Sequence, residues 1–196
     1  MTKITENNTA RRMCSNDMVS EENFVKDGTV YILGPFDDSI ARKVIPDLVK
    51  LIEFKKSQRD PQIDIYINSF GGYSHQLIAL LTLIQQAKKS GIKIVTYNMG
   101  VAMSCGSILA IAGDERKMYR YACNLAHLGF IGDGVSTFEQ IDRTSKHWKW
   151  WFNCIVKLYL ENTKCTKKQI EAILKDDNCY MTPEECLKLG ICTEII

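Results

Sequence analysis

The sequence predicts a single α/β domain around a largely parallel sheet, and three observations lead there. Short runs rich in β-branched residues alternate with longer stretches whose apolar residues recur at helical spacing, the pattern of repeated βαβ units. The chain has 196 residues, 45% of them hydrophobic, enough for one core of ordinary size. Glycine marks the ends of the predicted elements, at Gly34, Gly71-Gly72, Gly91 and Gly190.

Residues 1–26 are rich in Asn, Thr, Ser and Glu and carry little periodicity, so a mobile or late-ordering arm is expected there and the domain proper over 27–196. A first strand runs from Thr29 to Gly34. Asp37-Asp38-Ser39 can then cap a helix through Ile40, Val44, Leu48 and Leu51/Ile52, with Pro46 imposing a kink or a late start. After Pro61, Gln62 to Asn68 alternates apolar and polar as a strand. Ser69-Phe-Gly-Gly72 breaks it, and a helix follows through Leu77, Leu80, Leu81, Ile84 and Ala87. Ile92 to Tyr97 is the next strand, and it leads through Gly100 to a junction at Ser104. A buried helix to Ala112 comes next, then a charged turn, Asp114-Glu115-Arg116-Lys117, and two strand-like runs, Met118 to Tyr121 and Cys123 to His127.

The longest helix is expected from about Val135 to Glu161, with a wide apolar stripe that includes Trp148 and Trp151. Its three tryptophans fit core packing or an oligomer contact equally well. Thr166-Lys-Lys-Gln169 and Thr182-Pro-Glu-Glu185 read as capping boxes opening two further helices, Gly190 closes the second, and Ile191 to Ile196 can form a last strand.

Lys and Arg number 25 against 23 Asp and Glu, a net +2, which argues against nucleic acid or an anionic membrane surface as partner. The eight cysteines form no C-x-x-C and no zinc-like pairing with His75, His127 or His147, so neither metal nor cofactor is expected. Several cysteines fall at apolar positions, and the first 25 residues contain no apolar signal-type run, so a reducing, cytoplasmic location is expected. No apolar run reaches the roughly 18 residues of a membrane span.

Chemistry concentrates around Ser104. At a helix start, unpaired backbone N–H groups and the positive dipole end can face an oxyanion beside the hydroxyl, although a serine there often serves only as an N-cap. His127, at the end of a strand-like run, can act as base or can be an ordinary loop or core histidine. Gly71-Gly72 lets a backbone N–H approach a substrate closely, or is only a turn.

The ordered set Ile-Asn-Ser-Phe-Gly-Gly (67 to 72), Gly-Val-Ala-Met-Ser-Cys-Gly (100 to 106), His127 and Met-Thr-Pro-Glu-Glu-Cys-Leu-Lys-Leu-Gly-Ile (181 to 191) resembles the proteolytic subunit family of the Clp protease, ClpP. The resemblance covers about residues 28–196. It implies a ClpP/crotonase-like fold with a long handle helix, assembled as stacked heptameric rings (a tetradecamer) that enclose serine peptidase sites and receive unfolded polypeptides from a AAA+ unfoldase. By position it makes Ser104 the nucleophile and His127 the base. It assigns the oxyanion N–H groups to Gly72 and Cys105, and substrate pairing by strand addition to Leu128, Gly129, Phe130, Ile131 and Gly132.

The family's catalytic Asp is replaced by Asn178, whose amide oxygen can orient His127 but brings no charge. In trypsin-type triads that change costs about 10⁴ in kcat. Asp177 or Asp176 could substitute after a small backbone shift. Phe70 stands where the family has Pro, Leu128-Gly129 where it has Gln-Pro, and the interval from Ser104 to His127 is two residues shorter. The arm lacks the family's Tyr-Ser-Arg-Leu-Leu run, which bears on the unfoldase surface. These departures keep a second reading open, a weakly active or inactive structural subunit of a mixed ring or other assembly. An acyl-CoA enzyme of the wider crotonase group is a third reading, without a CoA-binding feature to support it.

Overall fold

The computed structural model describes residues 28–127, 129, 138–176 and 179–196. The arm at 1–26, the expected start of the long helix at Val135, and Leu128, Phe130, Ile131, Gly132, Asp177 and Asn178 lie outside these residues.

The expected α/β domain with a mainly parallel sheet is present. Strands β1 (Thr29–Leu33), β2 (Gln62–Ser69), β3 (Lys93–Met103), β4 (Glu115–Met118) and β7 (Glu194–Ile195) lie side by side in that order, all parallel. The sheet forks at β3. Its first half pairs with β4, while Val101 to Met103 pair with β5 (Cys123–Leu125), and β5 pairs in turn, antiparallel, with β6 (Tyr180–Met181).

Strand alternation decides which side is covered. Val30 and Ile32 of β1 and Ile63, Ile65 and Ile67 of β2 are buried, in one cluster with Leu48, Leu51 and Ile52 of α1 (Ile45–Lys55) and Leu77, Leu80 and Ile84 of α2 (Ser74–Lys89). Outward-facing Tyr31, Tyr66, Tyr97, Lys117 and Glu194 share one rung across five strands. The tyrosine rings stack at 5.3 and 4.3 Å, the Lys117 amine lies 5.9 Å from the Tyr97 centroid, and it pairs with Glu194 at 3.1 Å.

The helix does not start late at Pro46: the helical run opens at Asp38 and passes through a π-helical turn, Ile40–Val44, directly into α1, with Pro46 in the first turn of α1. Two further expectations need correction. The strand read as ending at Tyr97 continues to Met103, because its second half has its own partners: Ala102 pairs with Ser69 after an irregularity in β2, and the Asn68 side chain accepts the Val101 N–H at 3.1 Å. A Cβ at Gly100 would stand 2.7 Å from Asn68 Oδ1, so glycine serves close approach there and does not end the strand.

The charged segment read as a turn is largely β4 itself. Its charges find partners on neighbouring elements: Asp114 accepts the Ile94 N–H of β3 at 2.8 Å and pairs with Lys88 of α2 at 2.9 Å. The run expected at Met118 to Tyr121 is therefore a strand three residues earlier, and the helix before it, α3 (Cys105–Ala110), stops at Ala110.

The long helix is α4 (Phe138–Asn162), with Trp151 packed in the core at 7% exposed and Trp150 54% exposed. Both capping boxes form, at Thr166 before α5 (Lys167–Lys175) and at Thr182 before α6 (Pro183–Leu189), and Gly190 takes φ +71° after α6.

Candidate active site

β3 delivers Ser104 directly to the first residue of α3. The backbone at Ser104 has φ +52° and ψ −119°, a left-handed conformation costing about 1–3 kcal/mol for a residue with a Cβ. Its main chain is pinned on two sides, since the Ser104 N–H donates to the Leu125 carbonyl at 2.9 Å and its own carbonyl accepts the Ile108 N–H at 3.1 Å. Its side chain makes no capping hydrogen bond, so the N-cap position is occupied without the N-cap function. A sharp strand-to-helix turn of this type lifts a hydroxyl out of the sheet end.

The glycine turn after β2 packs against that junction. A Cβ on Gly71 would lie 2.6 Å from Ser104 Cβ and 2.9 Å from the Met103 carbonyl, and one on Gly72 would lie 2.6 Å from the Phe36 carbonyl. Both glycines are in the region that favours glycine, at φ +96° and +146°. A short parallel bridge holds the turn: the Phe36 N–H donates to Gly71 at 2.8 Å and the Tyr73 N–H to Phe36 at 2.7 Å, a pattern that does not use the Gly72 N–H. Buried Ser69 accepts the Gly71 N–H at 3.0 Å. The motif that contains Ser69 is visible in the sequence, but its bracing role depends on a turn geometry that the string of letters does not specify.

Cys105 opens α3, is 5% exposed, and donates its thiol to the Gly72 carbonyl at 3.2 Å. Burial pushes this thiol up from its ordinary pKa, outweighing the Gly72 backbone, Ser104 hydroxyl and Cys105 backbone donors near the sulfur, which favour the thiolate, so it stays protonated. The structure thus brings Gly71, Gly72, Ser104 and Cys105 together.

His127 stands two residues beyond β5, whose Leu125 pairs with Met103 and accepts from Ser104, and its side chain is half-buried. On the other edge of β5, Leu125 pairs with Tyr180 and Asn124 with Met181 of β6. Asp176, exposed, is the residue just after α5. Gly129 has φ +81°.

A buried polar network grips α3 from behind. The Ser107 and Tyr159 hydroxyls share a hydrogen bond of 3.0 Å, Asn124 donates to Ser107 at 3.0 Å, and Thr96 donates to the Ala110 carbonyl at 2.6 Å. Asn98 donates to the Cys123 carbonyl at 2.9 Å. Sequence reasoning did not assign these residues. A serine in a buried helix is the only local cue, and its partners are as far as 52 positions away.

Fold and site together define an α/β protein that presents a strained serine at a helix start, packed against a glycine turn. The chain belongs to the Clp protease family, whose model matches residues 11–196. It is 28% identical over 200 residues to the ATP-dependent Clp protease proteolytic subunit of Streptococcus pneumoniae strain 70585, a match covering all of this chain and 97% of that protein. The same subunit from strain Hungary19A-6 is 27% identical with the same coverage.

Proposed function

We propose that this chain is a self-compartmentalising serine endopeptidase subunit that degrades unfolded polypeptides. The observation that carries this reading is Ser104 itself, a non-glycine residue held at φ +52° with its hydroxyl released from capping and packed against Gly71. In the reaction, His127 takes the Ser104 proton as the hydroxyl attacks a peptide carbonyl. The Gly72 and Cys105 N–H groups hold the tetrahedral oxyanion, and His127 returns the proton to the leaving amine before water releases the acyl group. The Asn178 amide oxygen orients the imidazole, without the charge that would stabilise its protonated form. Leu128 to Gly132 pair with extended substrate main chain, which gives affinity with little sequence preference.

Assembly as stacked heptameric rings belongs to the same proposal. It is supported by the exposed apolar side chains Tyr31, Leu33 and Met99 on the sheet strands. ATP dependence would come from a AAA+ unfoldase partner, with residues 1–26 as an arm at the ring axis and 27–196 as the peptidase domain. A cytoplasmic location fits the seven described cysteines, all of them free thiols.

The test is hydrolysis of an unstructured polypeptide by the purified assembly, with Ser104→Ala as control. Cleavage that disappears in Ser104→Ala is expected. Cleavage that survives the substitution contradicts the assignment. Asn178 favours one second reading, a structural subunit with little activity, and Asn178→Asp separates the two: a gain in turnover of tenfold or more, within the range of about 10⁴ known for this exchange, identifies a competent but weakened site.

A further inference from the structure

We propose that the Cys105 thiol is a positioning group that locks the two oxyanion-binding segments together, in place of the backbone stiffness that a proline at position 70 would provide. The inference rests on the peptidase reading above and extends it to a side chain which that reading does not use.

The two oxyanion N–H groups come from separate stretches of chain, Gly72 after β2 and Cys105 at the start of α3, so their spacing depends on what ties those stretches to each other. On the Gly72 side the tie is not intrinsic. Phe70 is 74% exposed and leaves φ free two residues before Gly72, where proline would fix it. Gly71 and Gly72 are the residue type with the most conformational freedom. Against this the structure sets two side-chain hydrogen bonds, Ser69 Oγ accepting the Gly71 N–H at 3.0 Å and Cys105 Sγ donating to the Gly72 carbonyl at 3.2 Å. The first braces the turn internally. The second crosses from one oxyanion segment to the other, and the thiol also meets the Ser104 side chain, so it touches the nucleophile's residue and the oxyanion strand at once.

Burial keeps the sulfur in its protonated, donating form. An S–H donor is weaker than an O–H donor, so its loss displaces the Gly72 N–H without unfolding the site. Preorganised donors act on charge that develops in the transition state, so the rate of Ser104 acylation should fall while substrate affinity holds.

The experiment measures the rate at which a fluorophosphonate acylates Ser104 in the full-length assembled protein, together with kcat and KM for a peptide. Cys105→Ala is expected to lower the acylation rate and kcat about three- to tenfold, the worth of one modest hydrogen bond, with KM unchanged. Cys105→Ser, which keeps a hydroxyl donor, is expected to recover at least half of the lost rate. Phe70→Pro placed in the Cys105→Ala background is expected to recover rate by stiffening the turn instead, a coupling that a double-mutant cycle measures. Equal rates in wild type and Cys105→Ala, or a loss in Cys105→Ala that neither Cys105→Ser nor Phe70→Pro reduces, overturns the thiol's role. A wild-type protein whose Ser104 takes no label overturns the peptidase reading itself, which separates the two failures.

Discussion

Ser104 pays for its position in backbone strain, and that strain is measurable. A residue with a Cβ at φ +52° costs about 1–3 kcal/mol, while glycine adopts the same conformation freely at an entropic cost of about 0.5–1 kcal/mol in the unfolded chain. Ser104→Gly should therefore raise the stability of the fold by about 1 kcal/mol while abolishing peptide hydrolysis, as read by thermal unfolding and a turnover assay. A variant less stable than wild type would show that the turn is relaxed with serine in place. Gly71 gives the converse. Alanine there sets a methyl group 2.6 Å from Ser104 Cβ at φ +96°, so Gly71→Ala should lose both stability and activity. The strand-to-helix junction at Ser104 and the glycine turn before it were legible in the sequence because each lies in a contiguous motif. The bracing by Ser69 and Cys105 was not, because it depends on two turns meeting in space.

At the scale of elements, α3 is six residues long and wholly buried, too short to hold itself, so its position is set by tertiary bonds. Tyr159 of α4 reaches it through Ser107, and Asn124 of β5 reaches the same hydroxyl from the other side. Tyr159→Phe removes one hydroxyl from this network and should cost about 1 kcal/mol in denaturant unfolding. Asn124→Leu leaves Ser107 without its second partner beside the strand that leads to His127, so a larger loss of about 1–3 kcal/mol is expected. Local signals located elements where one chemistry dominated: the Thr166 and Thr182 caps are both present. They misplaced β3 and β4, since Gly100 reads as a break until Asn68 is seen beside it, and the Asp114 to Lys117 charges read as a turn until their partners on other strands are seen. β6, two residues long, has too few positions to show alternation at all.

At the scale of the whole molecule, the sheet has one face under helices and one face that carries the Tyr31, Tyr66 and Tyr97 stack outward. Aromatic pairs of this type contribute about 0.5–1.5 kcal/mol beyond burial. Tyr66→Glu sets a charge in the middle of the stack and should shift the protein to smaller species by sedimentation, with peptidase activity falling in parallel. Unchanged assembly would place the ring contacts elsewhere. Overall architecture was the most legible level, because a βαβ alternation repeated along the chain leaves few arrangements open.

Whether Ser104 is an activated nucleophile decides the function of the chain, and covalent labelling addresses that directly. Treatment of the assembled protein with a fluorophosphonate, followed by peptide mapping, is predicted to give one adduct per chain on Ser104 and none in Ser104→Ala. An unlabelled wild-type chain, or an adduct on another residue, would contradict the account.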